Sequence, residues 1–229
     1  QDGNTLVFAS GYNIYYGKIT PPTGVNVIMI APRMVGQGVR DTVLDGQGFP
    51  SLVAVHQDPT GSAHAIMLAL SKAIGSTKMG VIMSSFEEET VVDLFHEQYG
   101  GLHAMRRAFE VLVEAGCSPE AAMLELWASG EMREIGQYFV DHGLFAQLKL
   151  HSRTSQYGQL VYGRGKPEQE EAHKNHLRGI VERIKNGDFA EEWTQEQANG
   201  LSTMESAEKA MENDLLSIEE RKLYKRLGR

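Results

Sequence analysis

β-branched and aliphatic runs stop at Ser84, and that break constrains the fold more than any other feature of the chain. Before it, residues 6–9, 25–31, 51–56 and 79–83 are short apolar segments bounded by Gly and Pro. Runs of this kind predict strands buried on both faces of a parallel sheet. Between the last two, Ala65, Leu68, Ala69 and Lys72 recur at helical spacing and predict a helix over residues 62–74. The expectation for residues 1–84 is therefore an α/β domain.

From Ser84 onward the pattern is helical. Ser85 with Glu88 forms a possible capping box opening a helix that reaches about Gly100. A second helix is expected over residues 102–115, stopping at Gly116. Ser118-Pro119-Glu120 restarts the helix with an N-cap, a first-turn proline and an acid at the positive helix end, and that helix is expected to run to about Val140. Further helices are expected over residues 168–186 and 189–199, each closed by a glycine, and one or two more over residues 206–227. Residues 85–229 thus read as an all-α domain.

Composition narrows the function. Asp and Glu number 30 against 22 Lys and Arg, a net charge of −8, which argues against nucleic-acid and anionic-membrane partners. No apolar run approaches the roughly 20 residues that span a bilayer. The single cysteine, Cys117, cannot form an internal disulfide, so a reducing, cytoplasmic setting is expected, with Cys117 structural rather than nucleophilic. Gln1-Asp2-Gly3 leads straight into a strand with no initiator Met, the start expected of a chain that begins inside a larger protein.

The best local signal for chemistry is Glu89, Asp93 and Glu97, spaced to share one helical face. Like charges there repel, so the group is either a solvated acidic face or a site for a hard cation such as Mg²⁺, which takes carboxylates and water. Val92, Leu94 and Phe95 around Asp93 make the surroundings less uniformly polar than a solvated face would be. A weaker acidic group is Glu125, Glu131 and Glu134. Glu125 and Glu131 are out of line on an ideal helix, and a bulge or break at Ala128-Ser129-Gly130 could realign them. Ser10, Arg33 and Gly36 follow the ends of predicted strands, where open parallel sheets bind ligands; ordinary turn chemistry is the alternative. No Gly-x-Gly-x-x-Gly fingerprint occurs. His56 reads as a strand end.

Several blocks resemble ketol-acid reductoisomerase in order and spacing. They are Phe8-Ala9-Ser10-Gly11-Tyr12-Asn13-Ile14, Val27-Ile28-Met29-Ile30-Ala31-Pro32-Arg33, Ala54-Val55-His56-Gln57-Asp58, and Asp93-Leu94-Phe95-His96-Glu97-Gln98 with the acids before it. The likeness resumes at residues 113–116, 154–158 and 186–193. It implies a Rossmann-type NADPH-binding domain over residues 1–84, lacking its first half, and a knotted helical domain over residues 85–229. It implies Mg²⁺-dependent alkyl migration in a 2-acetohydroxy acid, then reduction by hydride from NADPH, in branched-chain amino-acid synthesis. Asp93 and Glu97 match the first metal carboxylates, Glu131 and Glu125 the second pair, Ser152 a serine that contacts substrate, and Gly36 a cofactor-contacting glycine. It also implies a homodimer through the helical domain.

The departures are specific. Ser10 stands where the family usually has His and Arg33 where it has Lys, so these are the candidate catalytic positions. Glu125 and Glu131 are further apart than the family's second pair, which implies an insertion. Thr154-Ser155-Gln156-Tyr157-Gly158 replaces Thr-Ala-Glu-Tyr-Gly, and roughly one helical turn is missing between Gln98 and Val113. A divergent branch follows, with two alternatives beside the full reaction: an NAD(P)H-dependent reductase of another 2-oxo or hydroxy acid without isomerisation, and a non-catalytic dimerising homologue.

Overall fold

Along strand β2 (Asn26–Pro32), Val27, Met29 and Ala31 alternate with Ile28 and Ile30, and both sets are buried. In a computed structural model describing residues 1–229, this strand lies inside a four-stranded sheet of order β1-β2-β3-β4, with β1 at Thr5–Phe8, β3 at Ser51–Gln57 and β4 at Val81–Met83. One face of β2 packs with Ile14 of α1 (Tyr12–Tyr15) and with Phe86 at the start of α4 (Phe86–Gln98). The other packs with Ala63 and Met67 of α3 (Ala63–Ala73). A helix α2 (Gly36–Leu44) connects β2 to β3.

The expected all-parallel sheet is corrected here. β1 pairs with β2, and β3 with β4, in parallel, but β2 and β3 run antiparallel, with a register shift at Val27/Ile28. Burial on both faces holds for the central strands only. Val7 is 51% exposed on β1 and Ile82 64% exposed on β4. Because β1 and β2 are parallel, their C-terminal ends lie at one edge of the sheet, and the residues that follow, Ser10-Gly11 and Arg33, emerge at that edge.

The chain divides into two units. The first joins Gln1–Glu97 to a short later segment, Val181–Ala190. That segment holds the end of α9 (Pro167–Lys185), and Ile184 in it is fully buried. The last carbonyls of a helix have no partner within it. Here the hydroxyls of Tyr16 and Tyr15 donate to the carbonyls of Ile184 and Lys185 at 2.7 and 3.2 Å. Lys185 Nζ adds an exposed ion pair with Glu87 at 3.1 Å.

The second unit, Gln98–Ile180 with Glu191–Arg229, is helical. α5 (Gly101–Glu114), α6 (Pro119–Met123) and the last helix, Leu215–Arg226, bury Phe109, Ala122, Met123 and Leu223 against one another. Arg106 Nη2 donates to Asp214 at 2.6 Å, and Asp214 also caps the last helix through its bond from the Leu216 amide. Ser118 caps α6 as expected, but the helix does not run unbroken to Val140. It widens into a π-helical segment at Leu124–Ala128, and Gly130 takes a left-handed conformation before α7 (Glu131–His142). Cys117 is exposed and joins no disulfide. No helix is long and apolar enough to cross a membrane.

Candidate active site

The most deeply placed ionisable group is Glu89, which is fully buried on α4. A buried carboxylate is tolerated only when its oxygens are bonded. The amide of Gly11, just past β1, donates to Oε2 at 2.5 Å, and Nη2 of Arg33, just past β2, donates to Oε1 at 2.6 Å. The second arm of the same guanidinium, Nη1, donates to Asp93 Oδ1 at 2.9 Å, and Nε makes a longer bond to the Ala31 carbonyl at 3.4 Å. A planar fork with donors on several edges is what lets one side chain tie two carboxylates together. Burial raises the Glu89 carboxyl above its ordinary range; the Gly11 amide and the Arg33 charge oppose that shift, and the Asp93 charge adds to it.

Local sequence accounts for the arrangement. Ser85 opens α4 by accepting the Glu88 amide at 2.9 Å, one half of the expected capping box, while the Glu88 carboxylate takes the Ser84 hydroxyl instead. The acids Glu87, Glu88 and Glu89 then sit in the first turn, where the helix dipole favours negative charge. Gly11 permits the close approach. A Cβ there would collide with the Phe86 carbonyl oxygen and come within 2.6 Å of Thr90 Oγ1. Next to it, the Tyr12 hydroxyl is buried without a hydrogen-bond partner.

The other expected site residues are placed as follows. Ser10 is partly buried beside Gly11, at the edge where Arg33 emerges. Gly36 is exposed at the first position of α2, and nothing lies where its Cβ would be, so no contact within the chain requires a glycine there. Glu97 is exposed one helical turn beyond Asp93. In the helical unit, Glu125 lies exposed in the π-helical segment, and Glu131 lines an open cavity of about 800 Å³ with Ser129, Arg133, Glu134, Gln137 and Tyr138. Ser152 caps a short helix (Arg153–Tyr157) by accepting the Ser155 amide at 3.2 Å, and it borders a cavity of about 540 Å³ with Lys149, His151, Arg153 and Gln156. In neither unit do three His, Cys, Asp or Glu side chains converge as a metal cage.

Glu89 belongs to the expected acidic row, but its role as the buried anchor of Arg33 is not one that the sequence marks. Glu89 is the first member of that i, i+4, i+8 row, and spacing does not separate a buried anchor from an exposed ligand. The signal that could have marked it is Phe86 and Thr90 on either side, both buried.

Comparison with known proteins settles the relationship. Residues 1–80 match the acetohydroxy acid isomeroreductase NADPH-binding domain, and residues 86–227 match the ketol-acid reductoisomerase C-terminal domain. The chain belongs to the ketol-acid reductoisomerase family. The ketol-acid reductoisomerase (NADP(+)) of Sulfurisphaera tokodaii is 44% identical over 94% of this chain and 65% of its own length. That of Methanopyrus kandleri is 40% identical over 100% of this chain and 69% of its own. An NADH-preferring ketol-acid reductoisomerase from an uncultured archean superposes with a TM-score of 0.90 at 36% identity, covering 98% of this chain and 68% of that one. The chain therefore spans about two thirds of the length of these ketol-acid reductoisomerases, and shares their combination of a Rossmann-like sheet with a mostly helical second domain.

Proposed function

We propose that this chain supplies the metal- and substrate-handling part of a ketol-acid reductoisomerase, acting on a 2-acetohydroxy acid or a close relative with NADPH as reductant. Residues 1–84 serve the nucleotide, as the later part of its domain, and residues 85–229 form the knotted helical domain. The observation that carries the reading is the bridge from Arg33 to Glu89 and Asp93 at the edge where β1 and β2 end, within a chain whose relatives are named for this activity.

Asp93 and Glu97 fit a hard cation. Both are carboxylates on one helical face, Asp93 keeps an oxygen not used by Arg33, and Mg²⁺ characteristically takes one or two carboxylates with water. Glu131 and Glu125 are the proposed second pair. Bound there, Mg²⁺ would polarise the substrate oxygens as a Lewis acid. The chain's own groups do the rest. Arg33 offers a fixed positive charge beside the carboxylates, Glu89 holds it there from below, Ser10 can exchange a proton at its hydroxyl, and Ser152 contacts the substrate. Gly36 leaves room for the cofactor.

A second reading has a specific basis. Ser10 and Arg33 stand where the family usually has His and Lys, so a reductase without alkyl migration is the alternative. NADPH oxidation measured with 2-acetolactate and with simple 2-oxo acids, each with and without Mg²⁺, decides between them. Turnover of 2-acetolactate only with Mg²⁺ supports the first reading. Turnover of 2-oxo acids alone supports the second, and none with any substrate leaves a non-catalytic homologue.

The proposed assembly is a homodimer through the helical unit. Val140, Leu144 and Phe145 are 71%, 62% and 71% exposed, an apolar stretch that a second subunit would cover. Sedimentation at falling concentration tests it; a monomer at micromolar protein would overturn it.

A further inference from the structure

We propose that Arg33 is a built-in competitor for the metal at Asp93: one arm of its guanidinium holds Asp93 until a divalent cation takes that carboxylate, while the other stays anchored on Glu89. The inference rests on the reading of Asp93 as a metal ligand. Its basis is the unequal hold of the two arms. Nη2 meets Glu89 at 2.6 Å, and that side chain is 0% exposed. Nη1 meets Asp93 at 2.9 Å, and that side chain is 42% exposed. The second oxygen of Glu89 is fixed by the Gly11 amide, so the anchor cannot swing away with the metal-binding carboxylate. A buried, fully bonded ion pair is costly to break, whereas a half-exposed one is screened and cheap to exchange. An entering cation would therefore displace Nη1 alone. The displaced N–H, still charged and still aimed by Glu89, becomes a donor available to a substrate oxygen only when metal is present.

The choice of arginine matters. A lysine ammonium is a point charge that cannot hold two carboxylates through separate, coplanar donors, whereas a guanidinium can release one and keep the other. The chain would therefore bind Mg²⁺ more weakly than its carboxylates alone allow.

The test is Mg²⁺ binding by titration calorimetry to the full 229-residue chain and to the double variant Arg33→Met/Glu89→Gln. The pair of changes leaves net charge unaltered and leaves no buried charge unpaired, while freeing the half-exposed Asp93 carboxylate. The variant should bind Mg²⁺ roughly three- to tenfold more tightly, the gain expected from removing one half-exposed charged hydrogen bond. A second measurement needs no variant to fold well. The Arg33 guanidinium N–H resonance in ¹⁵N NMR should move during a Mg²⁺ titration of the unmodified chain, in step with calorimetric occupancy. Equal or weaker binding by the variant, or a resonance that stays still while Mg²⁺ saturates, overturns the inference and leaves the metal reading intact. Uptake by the variant alone supports it. No uptake by either protein overturns the metal reading, and this inference with it.

Discussion

The Gly11 amide reaches across 78 residues of sequence to the buried Glu89 carboxylate. That bond pins the turn after the first strand to the helix carrying Asp93, and the contact is possible because residue 11 has no side chain. Its backbone is ordinary, with φ −79° and ψ −19°, so the demand for glycine is one of space alone. Gly11→Ala should therefore destabilise the chain by about 1–3 kcal/mol, the usual cost of forcing a methyl group into a packed site. Urea unfolding measures this. A variant as stable as the parent would mean that the turn and α4 do not approach so closely.

Tyr16 should ionise late. Burial first, then the neighbouring Tyr15 and Tyr12, push its hydroxyl from 10.0 up to about 12. The protonated form is thus favoured in the folded state. Its stabilising contribution is complete below pH 10 and is lost as pH rises toward 12. In a spectrophotometric titration of the phenols, Tyr16→Phe should remove a step from the upper end of the curve. Loss of a step near the ordinary tyrosine value would contradict the burial that raises Tyr16.

Asp214 serves two elements of the helical unit at once, capping the last helix and pairing with Arg106. Asp214→Ala should cost about 1–3 kcal/mol, more than a lone cap, because the partly buried Arg106 loses a charged partner as well. Asp214→Asn keeps the cap and should lose less. If chemical denaturation ranks the two variants equally, the cap contributes nothing; if Asp214→Asn is as stable as the parent, the ion pair contributes nothing.

Mg²⁺ should raise the melting temperature of the parent chain and leave Asp93→Asn unmoved. A ligand that binds only the folded state at ten times its Kd adds about 1.4 kcal/mol. Equal shifts in both proteins would place the metal elsewhere.

How much of this was legible in the sequence depended on what each signal encodes. The strands over residues 26–32 and 51–57 stood out because burial on both faces demands an unbroken apolar run. Their mutual direction did not, since the connection between them is long enough for either a crossover or a reversal. Helix α2 was missed for a different reason. Gly36-Gln37-Gly38 opens it, no residue in it is buried, and so no periodic apolar face marks it. In the helical part, Gly116, Gly187 and Gly200 fall at helix ends with positive φ, as expected. The out-of-line spacing of Glu125 and Glu131 pointed correctly to a distortion between them, and the π-helical segment is that distortion. Pairing lay beyond reach. The row Glu89, Asp93, Glu97 gives three like charges, and nothing in their spacing says that Arg33 neutralises two of them.

The return of Val181–Ala190 to the sheet-bearing unit bears on how the protein is made. A ribosome would release the strands long before the segment that seals them. At about 5–20 residues per second, the roughly ninety residues between Glu97 and Ala190 take several seconds to emerge. During that interval the Tyr15 and Tyr16 hydroxyls lack their carbonyls and the surface that Ile184 will cover stays open. The nascent sheet must therefore wait, exposed, for its own closing piece, and a stop codon placed neatly after the last strand-side helix would yield a protein that never finishes folding.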